Sequence, residues 1–377
     1  MPARDVVVIG AGAIGTGVAW RCAQRGLSVT LVDAAPDRGA WMTAAGMLAP
    51  MTELHYTETP LLRLMLDSVA RYPAFAAELT AESGRPLGFE ECGTIAVAWD
   101  AADLAALRDL HAFALGLGGE AHLLTGRELR AAEPALAPGL PGGLLAPGDH
   151  QIDPRLLRAA LLSAGQACGV RVEKANASVL VDRDRVRGVR LDNGTTIDTA
   201  RVVVAAGCWS GRVEGIPPDA VAPVRPVKGQ TLRLRLPGPP RLNHVVRAAV
   251  KGTAVYLVPR ADGQIVVGAT SEEVGFDQQP RAGAVYELLR DAQSVLPELG
   301  EAVLEEVSTG LRPGSPDNAP IVGPTSVAGL IHATGHHRNG ILLTPVTADG
   351  VAALIVDGAL PDVLTPFGPQ RFATVTA

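Results

Sequence analysis

Aromatic residues are scarce in this sequence, 4% of the total, and lysine is nearly absent, with Lys174, Lys228 and Lys251 alone. With few stacking surfaces, scattered basic residues and a formal net charge of -6, neither a stacking platform nor an electrostatic footprint for nucleic acid is visible. Cysteine is sparse as well. Cys22, Cys92, Cys168 and Cys208 lie far apart in no metal-ligand spacing and read as reduced thiols, mostly in the core. Long apolar runs are missing: residues 6–20 form the longest, and four glycines break it, too short a span for a bilayer. The N-terminus reaches a strand within five residues, which leaves no room for a signal peptide, so a cytoplasmic protein without a membrane partner is expected.

The chain does have material for a large core. Hydrophobic residues make up 47% of 377, enough for two domains. The segment "DVVVIGAGAIGTGVAWRCAQRGLSVTLVDA" reads as strand, glycine turn, helix and strand closing on an acid. Gly10, Gly12 and Gly15 supply Gly-x-Gly-x-x-Gly; Ile14, Val18 and Cys22 repeat at helical spacing. The first glycine makes the tight turn, the second lets backbone approach a pyrophosphate, and the third lets helix and strand pack closely. The helix N-terminus at Ala13 and Ile14 attracts phosphate, and Asp33 can accept hydrogen bonds from a ribose. This is a dinucleotide site; Asp33 alone suits NAD at least as well as FAD.

A second block carries more. "SVLVDRDRVRGVRLDNGTTIDTARVVVAAGCWS", from Ser178, alternates strands with turns at 182–185 and Asn193-Gly194, then returns as a buried strand over 202–206 ending at Gly207. Many flavoproteins insert such a meander, whereas an NAD dehydrogenase more often continues strand and helix alternation.

On these segments, with "AAGMLAP" at 44–50, "VYLVPRADGQIVVGAT" at 255–270, "LRPGSPDNAPIVG" at 311–323 and "GHHRNGILLTP" at 335–345, nearly the whole chain resembles the D-amino-acid oxidase family of flavoenzymes, and within it the glycine oxidases of thiamine biosynthesis. The resemblance implies an α/β fold: a Rossmann-like FAD-binding domain with a parallel sheet and β-meander (1–85, 146–223 and 308–377), and an α+β substrate domain with a largely antiparallel sheet (86–145 and 224–307).

"IHATGHHRNGILLTPVTADG" crowds His332, His336 and His337 together with Arg338. His332 and His336 would face one way on a helix, but 330–333 reads as a strand and Gly335 interrupts the chain between the two histidines, so a metal site is not expected. Thr344 reads as the N-cap and Pro345 as the first residue of a helix stopping at Gly358. By resemblance, His336, His337, Arg338, Asn339, Gly340, Ile341 and Leu342 lie along the flavin, with the positive end of that helix aimed at its pyrimidine. Ala34, Ala40, Trp41, Ala45, Gly46, Met47, Ser178 and Gly207 complete the implied cofactor contacts. His336 and His337 serve equally well as plain wall residues.

The same resemblance assigns the catalytic groups. Arg312 matches a carboxylate-binding arginine, whose fork can make two parallel hydrogen bonds; on composition alone most arginines here are solvated. Tyr256 implies a second bond to that carboxylate, where ordinary sheet packing is the plain alternative. Arg338 would lie between flavin and substrate, and Met47 would form a pocket wall or fill core. Ser271 stands where a pocket methionine is expected, which would widen the site; Trp41 and Met42 replace smaller or hydroxyl residues. No cysteine lies near 336–342, so FAD is expected to bind non-covalently. The implied reaction is oxidation of glycine, sarcosine or D-alanine with oxygen, giving imine, glyoxylate, ammonia and hydrogen peroxide. A homo-oligomer, a tetramer in many relatives, is implied too. A nicotinamide-dependent dehydrogenase is the alternative that Asp33 leaves open.

Overall fold

The computed structural model describes residues 3–238 and 242–372. The valine-rich strand Val6–Ile9 is wholly buried because it is covered on both faces. Val6 and Val8 join a core with the helices Ala13–Gln24, Thr59–Ser83, Pro154–Ala167 and Thr344–Asp357, whereas Val7 and Ile9 point into a second core with Val179, Val189 and Ile197 of the meander. The two-residue period of a strand thus feeds two layers. At about 25 cal/mol per Å2 of apolar surface, each fully buried valine or leucine contributes roughly 1.5–3 kcal/mol.

Six strands make this sheet, in the order Ile321–Pro324, Leu330–Thr334, Val202–Val204, Val6–Ile9, Val29–Val32 and Arg171–Glu173. All neighbours are parallel except the first pair. The meander Ala177–Asp182, Arg185–Leu191 and Thr196–Asp198 forms a separate three-stranded sheet.

An eight-stranded sheet, antiparallel except where Val245–Val250 pairs with Thr94–Ala98, makes the second layer system. Its helix Ala282–Val295 packs through Leu288, Ala292 and Val295 on Leu232, Leu257 and Val267. The α/β class with a parallel sheet, a meander and a largely antiparallel sheet matches the sequence-based expectation. The strand Val303–Gly314 runs straight through the expected boundary at 308, paired to Arg225–Arg235 along its length, including Val227 with Arg312.

Local details differ from expectation. The buried strand that returns after the meander stops at Val204, two residues early. Thr344 is the first residue of the helix Thr344–Asp357 rather than its cap, a place taken by Leu343, and its hydroxyl donates to the Gly340 carbonyl at 2.8 Å. Cys168 is exposed rather than in the core, while Cys22 and Cys208 are buried. Among the described residues no single helix is long and apolar enough to cross a membrane.

Candidate active site

A cleft of about 1150 Å3 runs from the glycine turn to the eight-stranded sheet, above the range of about 300–1,000 Å3 common for small-ligand pockets. At one end Gly10 has φ 110, and a Cβ there would sit 2.4 Å from the Ala205 carbonyl oxygen. A Cβ on Gly15 would meet the Gly10 carbonyl oxygen at 1.9 Å, whereas Gly12 faces open space with only Trp41 at 3.9 Å. So Gly10 and Gly15 permit the turn, and Gly12 keeps its approach clear. Asp33 accepts from the Ala11 amide at 2.7 Å and from the Ala35 amide at 2.7 Å, which fixes its carboxylate at the cleft wall. Behind the turn, buried Arg158 donates to the Ala11 and Pro36 carbonyls at 3.2 and 2.8 Å.

The middle of the cleft is held by partners distant in sequence. Arg260 donates to the Gln151 side chain at 2.7 Å and to the Ala45 carbonyl, clamping the loop that carries Gly46 and Met47. The 336–342 segment is held from behind by Tyr72, which donates to the Ile341 carbonyl, and by Ser68, which donates to the Leu342 carbonyl at 2.6 Å. His336 is buried against Thr347 at 3.1 Å, and burial pushes its imidazole down to about 3. His337 adopts φ 47; burial, with Arg338 and Arg312 nearby, lowers it to about 4. His332 lies on its strand with Nε2 2.8 Å from the Ala220 carbonyl oxygen, apart from the other two. Among the described residues no group of histidines, cysteines and acids has the arrangement of a metal site.

The far end is charged. Arg312 Nη1 donates to the Thr270 carbonyl at 3.0 Å, and among the described residues this side chain makes no ion pair. Tyr256 lines the same wall, its ring seated where a Cβ on Gly268 would stand 2.4 Å from the phenol oxygen. Burial raises the Tyr256 hydroxyl, against the pull of Arg312, so it stays protonated at neutral pH. Arg338 is engaged by Glu58 and, at 3.8 Å, by Glu53. Glu53 also pairs with Arg247, whose Nη1 lies 3.8 Å from the Met47 sulfur. The loop bearing Glu53 is pinned by Asp149, which accepts from the Met51 amide at 3.0 Å and from the Thr52 amide and hydroxyl at 2.7 Å each. Burial lifts the Asp149 carboxyl to about 6 in spite of these bonds.

Of the residues singled out in the sequence, the cleft gathers Gly10, Gly12, Ala13, Ile14, Asp33, Ala34, Ala40, Trp41, Ala45, Gly46, Met47, Ser178, Gly207, Tyr256, Arg312, His336, His337, Arg338, Gly340 and Ile341 along one wall or another. Gly15 lies under the turn. Asn339 and Leu342, expected at the cofactor, are each 2% exposed and do not line the cleft. Glu53 and Arg247 were missed. For Arg247 a signal existed: Lys251-Gly252 is a two-residue hairpin turn, with positive φ at both positions, and it sets Arg247 directly opposite Tyr256, which places both side chains on one face. Glu53 sits in an irregular loop whose direction no periodicity encodes.

Residues 5–354 match the family model described as FAD dependent oxidoreductase, DAO. A bifunctional ThiO/ThiG protein of Synechocystis is 34% identical over 99% of this chain, and the chain spans about half, 54%, of that relative's length. The glycine oxidase of Geobacillus kaustophilus is 33% identical over 97% of both chains; the crystal structure of glycine oxidase from that organism superposes with a TM-score of 0.89 at 34% identity, covering 98% of this chain and 99% of the other. An iminodiacetate oxidase structure from Chelativorans has a TM-score of 0.88 at 26% identity, covering 97% and 98%.

The residues fit FAD. The glycine turn keeps a phosphate approach open at Gly12, Asp33 presents a fixed carboxylate, and the buried Trp41 Nε1, Thr43 Oγ1 and His337 Nδ1 on the cleft wall have no hydrogen-bond partner among the described residues, which leaves them free for a polar ligand. Between the two dinucleotides that Asp33 permits, the family decides for the flavin. The chain belongs to the DAO family of FAD-dependent oxidoreductases.

Proposed function

We propose that the protein oxidises glycine and other small amines, through the imine, to glyoxylate, ammonia and hydrogen peroxide, and that it serves thiamine thiazole synthesis in the cytoplasm as a homo-oligomer. The observation that carries this is Arg312: a guanidinium without an acidic partner among the described residues, beside a protonated tyrosine, in the cleft that fits the flavin. A planar fork in that setting suits a carboxylate. FAD held in this cleft would supply a hydride acceptor for the substrate α-carbon and a route for the electrons to oxygen. Arg312 and Tyr256 hold the carboxylate and so orient the α-carbon, and Met47 and the partly apolar cleft limit bulk and water. His336 and His337 are neutral at physiological pH, so neither carries charge into the step, and the substrate amine reacts in its neutral form without a protein base. Cys208 lies at the cleft wall, but burial pushes its thiol up to about 12, which supports non-covalent attachment of the flavin. The assigned domains are an FAD-binding unit and a substrate unit that meet along this cleft.

Ser271 on the cleft wall favours a second substrate preference, sarcosine or D-alanine over glycine, since a serine leaves more room than a methionine. Oxygen uptake and peroxide yield of the purified yellow protein with glycine, sarcosine and D-alanine test both. Peroxide from any of the three supports amine oxidation, their order of kcat/KM ranks the substrates, and no turnover with all three rules the proposal out.

A further inference from the structure

We infer that Glu53, paired with Arg247 and sharing Arg338 with Glu58, sets the substrate class of this cleft, so that amines with one carboxylate are accepted and those with a second acidic group are turned away. This rests on the amine-oxidase proposal above. Three guanidiniums face the cleft around Tyr256, and among the described residues only Arg312 of the three lacks an acid: Glu53 pairs with Arg247 through one carboxylate oxygen and lies 3.8 Å from Arg338 Nε through the other, while Glu58 also engages Arg338. The Glu53 side chain is 13% exposed, and those of Arg247 and Arg338 are 23% and 19% exposed, so solvent screens the cluster little.

Position makes this a filter rather than a surface ion pair. Arg247 stands directly across the strands from Tyr256. A second carboxylate on the nitrogen or side chain of the substrate, reaching past Tyr256 toward Arg247, would meet the carboxylate already there. Like charges in a desolvated cleft exclude the ligand that carries the second one, and a repulsive element of this kind discriminates between substrates. Glu53 cannot swing clear at no cost, because Asp149 holds the two residues before it through three hydrogen bonds.

The experiment titrates FAD-loaded protein with acetate and with malonate, following the perturbation of the flavin absorbance, and measures kcat/KM for sarcosine and iminodiacetate. Wild type is expected to bind acetate more tightly than malonate. In Glu53→Gln the malonate-to-acetate affinity ratio rises at least tenfold, and iminodiacetate gains on sarcosine through KM rather than kcat. Adding Arg247→Gln to that variant cancels the gain, which general loosening of the loop would not. Arg247→Gln alone, which leaves Glu53 with one cation fewer, lowers the ratio below wild type, and so keeps the assignment testable if Glu53→Gln does not fold. Wild type binding malonate as tightly as acetate, or a ratio that moves less than twofold in either single variant, Glu53→Gln or Arg247→Gln, overturns the role of Glu53 while leaving amine oxidation standing. Failure of glycine, sarcosine and D-alanine all to reduce the flavin overturns both.

Discussion

The Arg312 guanidinium leans on the Thr270 carbonyl at 3.0 Å and fills the space a side chain on Gly229 would occupy, since a Cβ there would stand 2.5 Å from both of its terminal nitrogens. Backbone thus orients the cation without neutralising it. Arg312→Ala is expected to lower kcat/KM by ~100-fold or more, the ~3 kcal/mol scale of a charged bidentate contact, with the yellow flavin retained. Arg312→Lys keeps the charge but not the fork and should recover only part of the loss. Steady-state kinetics on flavin-normalised protein check this; an alanine variant at wild-type kcat/KM removes Arg312 from the substrate.

Tyr256→Phe tests the second hydrogen bond. The ring stays seated on Gly268, so only the hydroxyl is lost, and a decrease of about tenfold in kcat/KM is expected from a contribution of ~1–1.5 kcal/mol. The melting temperature should hardly move. A large fall in melting temperature with unchanged kinetics would instead mark Tyr256 as a packing residue.

The pH profile depends on which groups can titrate. The imidazoles of His336 and His337 are held down to about 3 and about 4 by burial, and burial keeps Tyr256 protonated. Above the range in which Asp149, raised to about 6, titrates, the ionisation expected to govern the chemistry is that of the substrate ammonium. Activity should rise with pH as that proton leaves, and His337→Gln should keep the same inflection. A flat profile contradicts hydride transfer from the neutral amine.

Stability should depend on acid in one place that can be named. Arg155 joins the helix Pro154–Ala167 to the turn at Met42 and to Glu306 on the long strand, and its hydrogen bond to Glu306 depresses that carboxyl from 4.5 to about 2. A folded-state value below the unfolded one means stabilisation that is complete above about pH 4.5 and lost as pH falls toward 2. Glu306 is 37% exposed, so screening limits the contribution to ~1 kcal/mol or less. Glu306→Gln should therefore lower the melting temperature at pH 7 and match wild type near pH 2; an equal deficit at both would remove the ion pair from the explanation.

What the sequence disclosed, and what it withheld, divides by the range of the interaction. The glycine turn is legible because Gly10 and Gly15 answer to local backbone sterics, and the parallel and antiparallel sheets are legible from runs such as 6–9 and the turns that separate the meander strands. The clamp of Arg260 on Ala45 crosses 215 residues and the Tyr72 bond to Ile341 crosses 269; nothing in the neighbourhood of either residue announces them. Arg247 falls between: its hairpin register could be read, but its partner Glu53 lies 194 residues away on a loop.

The two hydroxyls behind the 341–342 carbonyls give that loop a splint on its protein side. Stripping out the flavin should consequently empty a preformed socket without collapsing it, and the colourless protein should take the cofactor up again without a slow refolding phase.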